Sequence, residues 1–128
     1  MDVLDFVGIA RWAGYPVQVL PYGVQKRVEL ARALAMEPRL LLLDEPVAGM
    51  SSAERGEITA LIRRIHTERE LSIVLVEHDM GMVMQVAQRV MVLDFGRVIS
   101  VGTPAEVQRD ETVIRAYLGE AFEQEVTA

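Results

Sequence analysis

The sequence predicts an α/β fold with parallel strands, flanking helices and a C-terminal β-hairpin. Three observations carry this. Leu40–Leu43 is an unbroken run of four leucines that ends in Asp44-Glu45-Pro46. A second apolar run, Leu71–Glu77, comes after a helical segment and is followed at once by His78-Asp79. Finally, Arg89–Asp94 and Arg97–Val101 flank a turn, Asp94-Phe95-Gly96, in the pattern of a hairpin. Four leucines in a row leave no polar face, so the first strand is expected to be buried on both sides by helices.

The 128 residues amount to one domain at most, able to bury roughly two thirds of the unfolded surface. An apolar fraction of 51% with 25% charged residues and no long apolar run excludes a membrane span and a disordered chain. The net charge of −6 argues against general nucleic-acid binding. No cysteine is present, which excludes disulfides and thiolate metal sites, and Met1-Asp2 opens no signal peptide. Acids gather near the C-terminus (Glu106, Asp110, Glu111, Glu120, Glu123, Glu125) and read as a solvated end.

Taken in order, residues 2–12 read as one helix, capped by Asp2 and stopped by Gly14-Tyr15-Pro16. Its apolar positions Val3, Leu4, Phe6, Val7, Ile9 and Ala10 exceed what one face of a lone surface helix needs, so either a partner is missing or the helix lies inside a larger domain. Val17–Leu20 is a connector. From Tyr22 to Glu37 the pattern is amphipathic, with Val24, Val28, Ala31 and Ala35 on one face beside Leu34, and Pro38 closes it. Pro21 and Gly23 lie at its opening turn, where free N–H groups and the helix dipole can hold an anion; an ordinary surface helix has the same pattern.

The leucine strand then delivers two adjacent carboxylates to its C-terminal end, the end at which ligands sit in open α/β sheets. Asp44 can help hold Mg²⁺ through its water shell, and Glu45 can orient a water for in-line attack on a terminal phosphate. Pro46, with no N–H to donate, ends the strand. These are the features of a Walker B strand, although many buried strands also end in an acid at a loop.

After the loop Val47–Met50, Ser51 and Glu54 form a capping box for a helix reaching about Arg69, with Ile58, Leu61, Ile62 and Ile65 as its core stripe. His66 falls at the solvent edge. His78 stands at the end of the second strand, as a plain strand-end residue or a catalytic one. Asp79 caps the next helix, whose stripe is Met80, Val83, Met84 and Ala87; Met80, Met82 and Met84 read as core filler rather than a metal box. Asp94-Phe95-Gly96 matches a protein-kinase magnesium motif, but nothing else of a kinase is present. Thr103, Pro104 and Glu106 supply a cap, a first-turn proline and a capping acid. Two short helices follow, the second with Val113, Ile114, Tyr117 and Leu118, ended by Gly119, and the last nine residues read as frayed. No repeat and no linker divides the chain.

Leu20-Pro21-Tyr22-Gly23-Val24-Gln25-Lys26-Arg27, a helix, Leu40–Pro46 and then Glu77-His78-Asp79 come in one order at one spacing. Together they resemble the ATP-binding subunit of ABC transporters. The Leu-Pro-Tyr-Gly opening, Val47-Ala48-Gly49-Met50 and the run His78–Met84 look like the branch that serves import of branched-chain amino acids and related amides. The resemblance implies that residues 1–128 form a partial nucleotide-binding domain: part of the helical subdomain with the signature motif, Walker B, the switch histidine, and the terminal hairpin and helices. It implies ATP and Mg²⁺ as cofactors, with Asp44 assisting the metal, Glu45 as general base and His78 contacting the γ-phosphate. Pro21, Tyr22, Gly23 and Gln25 of the signature and Ser51 would contact nucleotide across a dimer. The implied partners are a second ATP-binding subunit, membrane-spanning permease subunits and, indirectly, a solute-binding protein, with no nucleic acid. The implied place is cytoplasmic, peripheral on the inner face of the membrane.

The chain departs from the family pattern. The usual signature is Leu-Ser-Gly-Gly-Gln; here Pro21 replaces the serine, Tyr22 a glycine and Val24 the glutamine. Phosphate contact then rests more on the N–H groups of Tyr22 and Gly23. Ser51 replaces an aspartate or asparagine, with less reach across a dimer. No Gly-x-x-x-x-Gly-Lys-Ser/Thr stretch occurs, nor the adenine-stacking aromatic residue or the glutamine loop, all of which lie in the family's N-terminal half. The expected fold is therefore the C-terminal half of an ABC-type P-loop NTPase domain, with the phosphate-loop strand missing. Without that cradle, several charge-assisted hydrogen bonds of about 1.5–3 kcal/mol each are lost. The isolated chain is expected to bind ATP weakly at best, not to turn it over, and to expose a sheet edge and apolar surface. The alternative to a working ATPase part is a non-catalytic fragment or interaction module that pairs with an intact ATPase.

Overall fold

The computed structural model describes residues 2–118, so the helix end expected at Gly119 and the frayed last nine residues lie outside the described residues. The chain divides into two compact units, Met1–His78 and Asp79–Ala128.

In the first unit the helix expected over residues 2–12 is broken. Asp2 accepts from the Leu4 N–H at 3.1 Å and caps α1, but α1 spans only Val3–Phe6. Gly8, at φ 78°, turns the chain left-handed. The Gly8 N–H then donates to Asp5 (3.1 Å) and the Ile9 N–H to Leu4 (2.9 Å), the paired bonds of a Schellman cap. Arg27 fills the space beside it: its guanidinium donates to the Val7 carbonyl at 2.8 Å and pairs with Glu57 at 3.2 Å. A Cβ at Gly8 would lie only 3.1 Å from that guanidinium. The sharp turn folds Phe6, Val7 and Ile9 together into the core, which is how so short a segment buries so many apolar residues. Phe6 is also flanked by the Arg64 and Arg69 guanidinium groups, 4.8 and 4.7 Å from its ring centre.

Two 3₁₀ turns, Ala10–Trp12 and Val17–Val19, lead to α2, Tyr22–Ala35. Its buried face is Leu30, Ala31 and Leu34, with Val24 and Val28 packed at the margin; Ala35, expected in the core, is exposed because the helix ends there. Strand β1, Leu40–Asp44, follows, and then α3, Ser52–Arg69. The Ser51–Glu54 capping box is present in both directions, at 3.3 and 3.1 Å. Ile58, Leu61, Ile62 and Ile65 are all buried, as the stripe requires. His66 is exposed, with Nδ1 2.9 Å from the Leu71 carbonyl.

Strand β2, Ser72–Val76, pairs with β1 in parallel, Leu40 opposite Ser72 through Asp44 opposite Val76. Parallel pairing needs a long crossover, and α3 supplies it. Leu41, Leu43 and Ile73 face α1, α2 and α3 in one core. The expectation of burial on both faces is corrected here. Leu40, Leu42, Val74 and Val76 form an exposed row, with Leu42 69% accessible, because the helices of this unit pack on one face of the pair only.

In the second unit Asp79 caps α4, Met80–Val86, accepting from the Met82 N–H at 3.1 Å. Met82, outside the expected stripe, is the buried methionine, while Val83, Met84 and Ala87 pack at the margin of this unit's core. The hairpin is as expected: β3, Val90–Asp94, pairs antiparallel with β4, Arg97–Gly102. Phe95 (φ 47°) and Gly96 (φ 76°) form its two-residue loop, and positive φ at both positions is what a type I′ turn demands. Val90 and Val92 face Val107 and Val113. Thr103 caps α5, Pro104–Arg109, with Pro104 in its first turn. Asp110 caps α6, Glu111–Val113, which runs into a π-helical turn, Ile114–Leu118. The Tyr117 hydroxyl donates back to the Leu93 carbonyl.

Two stability predictions follow from this packing. Ile65 is fully buried, so Ile65→Ala should cost about 2–5 kcal/mol, whereas Leu42→Ala on the open face should change stability by less than about 0.5 kcal/mol; urea unfolding measures both. The Ser100 hydroxyl and the Thr112 N–H hold the Asp110 carboxyl below its ordinary value of 3.8. A lowered folded pKa means stability that is present above the ordinary value and lost as pH falls through the folded one. The urea midpoints of wild type and Asp110→Ala should therefore differ by a constant amount at neutral pH and converge in acid below about pH 4.

Candidate functional site

Parallel register decides what meets at the end of the sheet. Because Asp44 lies opposite Val76, the residues just beyond each strand emerge side by side. Glu45 Oε1 comes 3.7 Å from His78 Nε2, with the two side chains 50% and 73% exposed. At that distance and exposure the pair is a juxtaposition and not a lock; in water such a contact is worth little. The His78 N–H donates to the Glu77 carboxylate at 3.1 Å. Asp44 continues the outward row of Leu40 and Leu42, and it is exposed at the same end of the strand pair.

Glu45 is held in an unusual backbone conformation, φ 48°, which no sequence pattern announced. A left-handed L-residue costs of order 1–3 kcal/mol and persists only where its surroundings insist on it. Here they do. The Glu45 N–H donates to the Val76 carbonyl at 2.8 Å, and the Glu45 carbonyl accepts from the Ala48 N–H at 3.1 Å.

The opening of α2 forms a second grouping. Pro21 is the N-cap and supplies no side-chain cap, so the N–H groups of Tyr22, Gly23 and Val24 have no acceptor within the helix. The Gln25 N–H is already bonded to Pro21 at 3.0 Å, and the Gln25 amide folds back onto the Leu20 carbonyl at 3.0 Å. Gln25 thus braces the turn instead of facing outward. Lys26 pairs with Glu29 at 3.4 Å, and its ammonium lies 5.5 Å from the Tyr22 ring centre. The Tyr22 hydroxyl reaches the loop after β1 and donates to the Ala48 carbonyl at 2.9 Å. Ser51 is occupied as the cap of α3, its hydroxyl accepting from the Glu54 N–H.

The sequence thus identified Tyr22 by its backbone and missed its side chain. The contact partners, Ala48 and Gly49, lie in the Val47–Met50 stretch that carries part of the resemblance, but nothing in that stretch announced the contact; Gly49, at φ 74°, lets the loop turn beside the tyrosine ring. Between α2 and β1 lies an open hollow of ≈ 190 Å³, lined by Lys26, Glu29, Leu41 and Asp44 among others. That is below the usual size of a ligand pocket, so the candidate site is a surface constellation and not a cleft. Among the described residues no group of three or more His, Cys, Asp or Glu forms a metal cage. An exposed single carboxylate such as Asp44 nevertheless suits Mg²⁺, which keeps its waters and takes most of its remaining ligands from phosphates. Among the described residues no helix is long and apolar enough to cross a membrane.

Known proteins resemble the chain over most of its length. A family profile described as ABC transporter matches residues 2–48, and one described as branched-chain amino acid ATP-binding cassette transporter matches residues 97–123. The high-affinity branched-chain amino acid transport ATP-binding protein BraF of Pseudomonas aeruginosa is 38% identical over 118 residues, which is 92% of this chain and 46% of that protein. The sulfate/thiosulfate import ATP-binding protein CysA of Rhodopseudomonas palustris is 39% identical over 124 residues, 94% of this chain and 35% of that protein. The solved structure of cbiO1 from Clostridium perfringens, described as part of the ABC transporter complex cbiONQ, superposes with a TM-score of 0.78 at 37% identity, covering 88% of this chain and 45% of that one. The chain thus spans less than half the length of the relatives it matches. Strand order, motif order and these matches agree: the chain belongs to the ATP-binding domain family of ABC transporters and corresponds to part of that domain.

Proposed function

We propose that the chain is part of the ATP-hydrolysing subunit that powers an ABC importer for branched-chain amino acids or related amides, residues 1–128 being a partial nucleotide-binding domain. The observation that supports this best is the approach of Glu45 to His78, 3.7 Å apart at the C-terminal ends of paired parallel strands. Relatives named for branched-chain amino acids and for sulfate match at nearly equal identity, so the choice of solute rests on the branched-chain profile over residues 97–123.

In this reading Glu45 accepts the proton of the attacking water, a role worth roughly 10²–10⁴-fold in rate. His78 holds the terminal phosphate and keeps Glu45 company at its open edge. Asp44 holds Mg²⁺ through water, and when bound that ion neutralises phosphate charge. The free N–H groups of Tyr22 and Gly23 and the dipole of the 14-residue α2 receive phosphate from a second ATP-binding subunit, with Pro21 and Gln25 shaping the turn. Ser51 contacts that subunit across the dimer. Permease subunits would place the assembly on the cytoplasmic face of a membrane, fed by a solute-binding protein.

A second reading is a non-catalytic module that pairs with an intact ATPase. The exposed row Leu40, Leu42, Val74 and Val76 favours it, since apolar surface of that kind suits a protein partner. Calorimetric titration of Mg-ATP separates the two. The 128 residues carry no Gly-x-x-x-x-Gly-Lys-Ser/Thr stretch, so the chain alone should bind no tighter than about millimolar. In a complex that restores a phosphate loop, hydrolysis should appear, and Glu45→Gln should retain binding while slowing turnover at least about 100-fold. Unchanged turnover in Glu45→Gln would remove Glu45 from the chemistry. Independently of nucleotide, the left-handed backbone at Glu45 predicts that Glu45→Gly is more stable than Glu45→Ala by about 1 kcal/mol in urea unfolding.

A further inference from the structure

We propose that Tyr22 is a positioning residue for Glu45, acting through a chain of hydrogen bonds from its phenol. The Tyr22 hydroxyl donates to the Ala48 carbonyl at 2.9 Å, and the same peptide segment's Ala48 N–H donates to the Glu45 carbonyl at 3.1 Å. On its other side Glu45 is tied by its N–H to Val76 at 2.8 Å. The strained φ of 48° at Glu45 is thus clamped from both ends, by β2 and by the loop that Tyr22 holds. The ring itself supports the same loop. A Cβ at Gly49 would meet the Tyr22 hydroxyl and ring edge at 3.7–3.9 Å, ordinary van der Waals contact, so the phenol lies over the loop without crowding it.

The consequence is a mechanical link between the opening turn of α2 and the carboxylate after β1. A residue with no long polar side chain at position 22 would leave the Ala48 carbonyl to water and loosen one end of the clamp. The link rests on the reading of Glu45 as general base only for its functional meaning; the clamp itself exists without nucleotide.

The test is amide hydrogen exchange and urea unfolding of the whole chain, without nucleotide, in wild type, Tyr22→Phe, Glu45→Gly and the double variant. Tyr22→Phe keeps the ring and removes the hydroxyl, and should speed exchange of the Ala48 amide roughly two- to tenfold while the interior α3 amides of Ile62 and Ile65 keep their rates. In the unfolding cycle Tyr22→Phe should raise the unfolding constant by a smaller factor in wild type, where loss of the clamp lets Glu45 shed its strain, than in Glu45→Gly, where only the hydrogen bond is lost. A residue that only adds stability would give the same factor in both backgrounds. Unchanged Ala48 exchange, a rise shared equally by α3, or additivity in the cycle would each overturn the proposal. Failure of the catalytic reading shows elsewhere, in the turnover of Glu45→Gln, so the two can fail separately.

Discussion

The parallel pairing of β1 with β2 is the constraint on which everything else in the first unit depends. It forces a crossover, and α3 is that crossover, with its capping box at one end and its isoleucine stripe against the sheet. It also fixes register, and register places Glu45 beside His78 although they stand 33 positions apart in the sequence. An antiparallel pair would send the ends of the two strands to opposite edges. The chemistry proposed here needs both at one edge.

The core beneath that pair is built from short pieces brought together by sharp turns. Gly8 turns α1 back on itself, Arg27 satisfies the carbonyl left at the turn, and Phe6 lies beneath two guanidinium groups of α3. The other face of the strands carries leucine and valine side chains in the open. Burial of these would be favourable at about 25 cal/mol per Å² of apolar area, a driving force for whatever protein surface covers them.

Strain and function coincide at one residue. Glu45 is the carboxylate proposed as general base, and it is also left-handed at a position where glycine would be easier. Its conformation is imposed by hydrogen bonds to both neighbouring segments, one of which ends in the Tyr22 phenol. Stability is conceded at the point where a side chain must be aimed.

Much of this protein was legible in its sequence because the controlling physics is local. The leucine run, the Ser51–Glu54 box, the cap at Asp79 and the hairpin turn at Phe95-Gly96 each depend on residues a few positions apart, and each appears in the structure where expected. The single helix over residues 2–12 did not, because Gly8 could take positive φ and the core rewarded it for doing so. Two-sided burial of the leucine strand also failed: an apolar run records a tendency to be covered, while the neighbours present decide whether it is. The tie from Tyr22 to Ala48 spans 26 positions and joins a side chain to a carbonyl, a pairing that no periodicity encodes. Residue type and local spacing thus determined the elements and the candidate groups; the tertiary structure alone decided which of them touch, because contact depends on register and turn geometry that distant parts of the chain set together.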